Sequence, residues 1–176
     1  MVGEITAVAS FSRGYRFTLR DNSGQVTLLM WDNVYDDCWD APQINLGATV
    51  WALGEVGYFD NDLQIVPSFG GHVKVNAPAS PPPPVEIGTL GDWIGQRVTV
   101  VGEIVRRESS SNGQILFVSD GRDEIAIFIW QNSYDRIPNR AALTPGTRVR
   151  VVGPVSIFRS NRQIIPTLPY DLVVLP

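Results

Sequence analysis

The chain is 176 residues long, carries a net charge of −4, and is 44% hydrophobic and 18% charged. That apolar share supports a packed core and excludes wholesale disorder, and no stretch approaches the roughly 18 consecutive apolar residues of a membrane span. One cysteine (Cys38) and one histidine (His72) leave no material for an internal disulfide, a Cys- or His-based metal centre or a Cys–His nucleophile, so no metal and no other cofactor is expected.

The N-terminus lacks a basic start followed by an apolar stretch, so no secretory signal is read and a cytoplasmic location is expected. The acidic balance also argues against a strong non-specific duplex binder.

A first strand starts at Val2, and Ser12 to Gly14 form a loop. Tyr15, Phe17 and Leu19 then alternate with Arg16, Thr18 and Arg20, and Val26, Leu28 and Met30 alternate with Thr27, Leu29 and Trp31. A period of two marks half-buried strands, and the turn-forming Asp21-Asn22-Ser23-Gly24 between them makes the pair a hairpin. Residues 34–46 lose the alternation and leave room for a short helix. A fourth strand is expected over 48–56, a polar turn at Asp60 to Asp62, and a fifth strand over 63–66. Residues 77–86 include four consecutive prolines, which favour polyproline II and read as a semi-rigid linker. The alternative reading of that stretch is a proline-rich ligand for another protein.

A lead-in with Ile87, Leu90, Trp93 and Ile94 follows the prolines, and then the pattern returns. Shifted by 99 positions, the chain aligns with itself without a gap and gives 21 identities over 77 pairs. Val2-Gly3-Glu4-Ile5 falls on Val101-Gly102-Glu103-Ile104, Trp31 on Trp130, Tyr35-Asp36 on Tyr134-Asp135, and Gly54 on Gly153. One register held through glycines, tryptophans and prolines means two copies of one domain, 1–76 and 87–176, joined by the linker 77–86. Copy one opens at Met1, already on its first strand. The chain is therefore expected to be part of a longer protein, or copy one to lack a lead-in packed beneath it.

Five strands with a short helix between the third and fourth is the layout of the OB-fold. The expected class is all-β: two tandem five-stranded OB-fold barrels joined by a Pro-rich linker. The Phe17-x-Leu19-x-Asp21-x-x-Gly24 hairpin, the Trp31-Asp32-Asn33 that closes strand three, and Gly47-x-x-Val50-x-x-x-Gly54 resemble OB domains of the anticodon-binding and helicase type and the tandem domains of replication protein A. The resemblance covers nearly the whole chain outside the linker.

The resemblance implies a single-stranded nucleic acid lying on strands two and three, flanked by the loops joining strands one–two and four–five. In the replication protein A family an aromatic closing strand three stacks on a base, and Trp31 and Trp130 match that position. Packing of each Trp against the following helix is the competing reading. Alternation places Phe117 and Phe128 outward in copy two, where stacking on any base is available. Their copy-one counterparts are Thr18 and Leu29, so copy two is expected to be the stronger site.

Charge agrees. Residues 1–77 hold nine acids and four bases, whereas 100–176 hold seven acids and nine bases, every one of them Arg. Arg159 and Arg162 fall on the four–five turn, where phosphate contact is expected; Arg16 and Arg20 are the copy-one candidates, while Arg148 and Arg150 read as a solvated edge. The acidic cluster Asp32, Asp36, Asp37 and Asp40 reads as a solvated face, Cys38 as a packed residue and His72 as incidental. The expected function is non-catalytic binding of single-stranded nucleic acid, DNA before RNA, although no residue here reads a 2′-hydroxyl. The alternative is a protein–protein interaction or architectural module of a larger, envelope-associated chain.

Overall fold

The computed structural model describes residues Met1–Pro176, which divide into two units, Met1–Ser80 and Pro81–Pro176. Unit one contains β1 (Val2–Phe11), β2 (Gly14–Asp21), β3 (Gly24–Trp31), α1 (Asp32–Asp36), β4 (Thr49–Ala52), β5 (Glu55–Phe59), β6 (Asp62–Val66) and β7 (Val73–Ala77). Its strand order is β5-β6-β3-β2-β1-β4-β7, with β3 and β6 parallel. Unit two repeats the plan with β8 (Arg97–Ser110), β9 (Gly113–Ser119), β10 (Glu124–Trp130), α2 (Gln131–Asp135), β11 (Arg148–Phe158), β12 (Asn161–Ile164) and β13 (Leu172–Val174). Here β11 pairs with β8 along its first part and with β12 along its second, which closes the barrel. Both units are OB-fold barrels, and each adds a short C-terminal strand, β7 or β13, beyond the five expected.

Alternation decides what each barrel encloses. Tyr15, Phe17 and Leu19 on β2 and Val26, Leu28 and Met30 on β3 are buried, and Tyr35 of α1 reaches in against Tyr15 with ring centroids 4.4 Å apart. Leu116, Val118, Ile125, Ile127 and Ile129 do the same in unit two. The lead-in adds Ile87 and Leu90 to that core from a 3-10 segment at Ile87–Trp93.

Three local features depart from the expected pattern. The fourth strand of copy one is interrupted at Leu53-Gly54, giving β4 and β5, whereas β11 runs unbroken. A Cβ on Gly54 would lie 2.5 Å from the Val66 carbonyl oxygen, so the backbone passes too close for a side chain there. Leu29, expected to face outward, is buried opposite the long Arg16 side chain. The second half of the proline stretch lies along β8: the Thr99 hydroxyl donates to the Pro82 carbonyl, and the Val85 N–H donates to the Thr99 carbonyl at 2.9 Å.

Each β2–β3-type hairpin is held by an aspartate. Asp21 accepts hydrogen bonds from the Ser23 hydroxyl, the Ser23 N–H and the Gly24 N–H at 2.6, 2.7 and 3.2 Å. Asp120 accepts from the N–H groups of Asp123 and Arg122 at 2.9 and 3.0 Å, and from that of Ile87 at 3.3 Å. The Ser23 hydroxyl bond holds the Asp21 carboxyl below its usual range, and the Asp123 N–H does most to hold that of Asp120 there. A carboxyl depressed in the folded state contributes stability above its unfolded pKa of about 4 and loses it as pH falls through the folded value. Asp120→Ala is therefore expected to flatten the acid limb of the stability curve below about pH 4, as read from urea midpoints across pH; a limb identical to wild type would rule this out.

Candidate nucleic-acid interface

The end of β3 and the end of β10 present the same device. Trp31 lies opposite Gly14, and Trp130 opposite Gly113. A Cβ on Gly14 would come within 2.3 Å of the Met30 carbonyl oxygen and 3.1 Å of Trp31 Cα; on Gly113 the distances to Ile129 and Trp130 are 2.1 and 3.2 Å. Glycine at these positions lets the loop between the first two strands close against the tryptophan-bearing strand. The indoles remain on the surface, 39% exposed for Trp31 and 43% for Trp130.

Each indole is braced edge-on by one phenylalanine, from a different strand in each copy. Phe128 meets Trp130 with centroids 4.9 Å apart at 88°, and Phe11 of β1 meets Trp31 at 5.7 Å and 76°. Around Trp31 the surface alternates rings and cations: Arg13 lies 5.8 Å from the Trp31 ring and Arg16 lies 5.2 Å from the Phe11 ring. Arg20 is exposed further along β2. None of these three arginines forms a salt bridge, so their charge is open to an anionic ligand.

At the other end of β9, four residues and roughly 13 Å along the strands, unit two holds a groove of about 530 Å³ lined by Arg106, Phe117, Glu124, Phe158, Asn161 and Arg162, among others. Phe117 is there as expected, but its ring is covered by the Arg106 guanidinium, 3.3 Å from the ring centroid. Arg106 reaches this face through a bulge. The register shifts between Ile104 and Arg106, so Arg106 turns to the outward side and pairs across with Phe117. Glu108 and Glu124 bind the guanidinium at 2.6 and 3.1 Å. The surface offered to a ligand is therefore the outer plane of an arginine stacked on a phenylalanine, with acids on its flank.

Arg159 and Ser160 form the β11–β12 turn, both with positive φ. Arg159 lies 5.2 Å from the exposed Phe158 ring, and Arg162 lines the groove; neither forms a salt bridge. The candidate residues thus form two clusters in unit two, Phe128 with Trp130 and Phe117 with Arg162, with Arg159 at the turn beside the second. Trp31 and Arg16 form one cluster in unit one.

No family model and no curated protein matches the chain. Solved structures similar to it include the S. pombe Stn1–Ten1 complex, at 21% identity over 45% of this chain and 57% of that one, with a TM-score of 0.40. A replication protein A heterotrimer bound to ssDNA is similar at 19% identity over 46% of this chain and 57% of that one, with a TM-score of 0.36. The p204 HINb domain is similar over 99% of this chain and 96% of its own, at 10% identity and a TM-score of 0.43. The matched part spans a little over half of the first two chains.

Sequence reasoning missed Phe11 and Arg13 as neighbours of Trp31, and Arg106 as the cover of the Phe117 ring. The signal for Phe11 was weak because its repeat partner is Ser110. Arg107 serves structure: it donates to Gln114 Oε1 at 3.3 and 3.2 Å and lies over the Tyr134 ring at 5.3 Å. The remaining chemistry-bearing residues stand apart from the face. Burial pushes the Cys38 thiol up, and its Sγ points at the Val73 carbonyl. His72 Nδ1 lies 3.3 Å from the Ser68 hydroxyl, with its ring tilted at 47° against that of Phe69. No group of three or more His, Cys, Asp or Glu side chains is placed to hold a metal ion, and no helix is long and apolar enough to cross a membrane.

Proposed function

We propose that this chain binds single-stranded nucleic acid, DNA in preference to RNA, without catalysing a reaction on it. The observation that carries the reading is the recurrence, in two diverged copies, of a half-exposed indole at the end of the third strand, fixed by a facing glycine and a perpendicular phenylalanine. A rigid exposed ring stacks on any base without losing further side-chain freedom. Arg13 and Arg16 supply cations in unit one, and Arg159 and Arg162 in unit two. With few phosphates neutralised, affinity should be modest and fall with salt on a shallow slope.

The test is fluorescence anisotropy of a labelled oligo-dT titrated with the full chain at low salt. Saturable binding that weakens with salt is expected. Glu124→Gln removes one of the two acids holding Arg106 and should tighten binding, while Arg106→Ala should weaken it. Absence of binding at high protein concentration would sink the proposal.

One observation favours a protein-interaction role instead: Trp39 is 93% exposed and flanked by Asp36, Asp37 and Asp40. A stable protein complex that oligo-dT fails to displace would support that reading.

A further inference from the structure

One acid in the unit-two groove has no structural task. The groove follows a row of residues across the sheet: Arg106 faces Phe117, Phe117 faces Ala126, and Ala126 faces Gln163. Facing residues present their side chains on the same side of a sheet. The small Ala126 therefore leaves a dip between the Arg106–Phe117 stack and the Gln163 amide. At about 530 Å³ the groove falls within the range of small-ligand sites.

The polar atoms along it are of two kinds. Arg162 and Asn161, at the start of β12, bring donors. Acceptors come from Gln163 and from the start of β10. Gln163 donates through Nε2 to the Ser156 hydroxyl at 3.2 Å, which fixes its amide and leaves Oε1 open. Glu124 gives one oxygen to Arg106 at 3.1 Å. The Asp123 carboxylate holds nothing: the turn to Asp120 uses only the Asp123 backbone, whose N–H donates to the Asp120 carboxylate at 2.9 Å and whose carbonyl accepts from the Asp120 N–H at 3.3 Å. Asp123 Oδ2 lies against Gly88 of the lead-in, where a Cβ would come within 2.6 Å of it, so a glycine gives the carboxylate its seat.

A groove that served phosphate alone would gain nothing from this group, because a free carboxylate repels an anionic backbone. Beside a stacking platform it suits a base edge made of donors. Among the Watson–Crick edges, only that of guanine offers two adjacent donors, N1–H and N2–H2, which a carboxylate accepts together in charge-assisted bonds. Thymine sets a carbonyl oxygen on each side of its one N–H, and cytosine and adenine each place an amino group beside an acceptor nitrogen.

We propose that the unit-two groove takes one guanine of the bound strand, stacked on the outer plane of Arg106, with N1–H and N2–H2 donated to the Asp123 carboxylate and the adjoining phosphate on Arg162. Such a site presupposes the single-strand binding proposed above and adds a base preference to it. The preference belongs to unit two alone, since the positions of Arg106, Phe117, Asp123 and Glu124 hold Ala7, Thr18, Gly24 and Gln25 in copy one.

Four labelled oligomers decide it by fluorescence anisotropy with the full chain at low salt: oligo-dT, and the same oligomer with one central thymidine replaced by dG, dA or dC. The dG oligomer should bind about fivefold or more tighter than the other three. Asp123→Ala should remove that preference and leave oligo-dT affinity no lower than in wild type. Asp123→Asn sets a donor beside an acceptor, which matches thymine, so it should bind oligo-dT at least as tightly as the dG oligomer. Near-UV circular dichroism checks that both variants keep their fold. Equal affinity of the wild type for all four oligomers overturns the guanine site and leaves single-strand binding standing. A dG preference that survives Asp123→Ala also overturns it. A chain that binds none of the four overturns the site and the single-strand reading together.

Discussion

Trp130→Ala is expected to weaken oligo-dT binding by about 5- to 150-fold, the equivalent of about 1–3 kcal/mol for one stacked base. The indole is 43% exposed, its orientation is set by the Phe128 edge, and Gly113 keeps the facing backbone close beneath it. Removing a half-exposed ring should disturb the fold little, so the melting temperature should change far less than the affinity. Trp130→Phe retains a stacking face and should recover part of the loss. Trp31→Ala discriminates between two arrangements. If one strand runs over both barrels, its effect adds to that of Trp130→Ala; if unit two binds alone, it has none. Trp39, outside the β2–β3 face, serves as the control, because Trp39→Ala should leave oligo-dT affinity unchanged. Unaltered affinity in the Trp31→Ala, Trp130→Ala double variant would remove the basis of the proposed function.

The repeat made much of the fold legible. Period-two alternation at Tyr15, Phe17 and Leu19 and at Ile125, Ile127 and Ile129 reports directly which side chains the barrel encloses, and glycines shared at a fixed offset mark where backbones approach closely. What escaped was whatever depends on a shift of parity or on a partner distant in sequence. The bulge at Val105 adds one residue to β8 and so moves Arg106 to the opposite face; nothing in Ile104-Val105-Arg106-Arg107 announces that insertion. The consequence reaches the site, since a ring read as bare, Phe117, carries a guanidinium. The strands β7 and β13 escaped because three to five residues such as Val73-Lys74-Val75 are too short for a periodic signal; they exist because β4 and β11 offer them an edge. The tryptophans were legible for the opposite reason: they repeat, they end a strand, and no parity change intervenes between them and the alternating core.

Asp171→Ala should produce the largest loss of stability, about 3 kcal/mol, and confine it to unit two. Asp171 is 3% exposed. One oxygen accepts from the Arg97 guanidinium at 2.9 Å, and the other accepts from the Thr167 and Leu168 N–H groups at 3.2 and 3.0 Å. The carboxylate thereby ties the first residue of β8 to the short 3-10 turn at Pro169–Asp171 that leads into β13. Truncation strands the buried Leu168 N–H, the half-buried Thr167 N–H and a guanidinium that is only one-fifth exposed, and leaving such groups unpaired costs more than the pair itself contributes. Asp171→Asn keeps the acceptor oxygen and loses the charge, so it should fall between wild type and Asp171→Ala. The corresponding residue in unit one is His72, which has no counterpart of this ion pair. Calorimetry should therefore show the unit-two transition displaced downward by more than 10 °C, at about 4–8 °C per kcal/mol for a domain of this size, with the unit-one transition in place. Between those two temperatures the variant becomes a functional dissection of the chain. Trp130→Ala should no longer alter oligo-dT binding, because its barrel is unfolded, while Trp31→Ala should abolish whatever remains. Retention of a Trp130 effect in that window would show that unit two stays folded without its buried carboxylate.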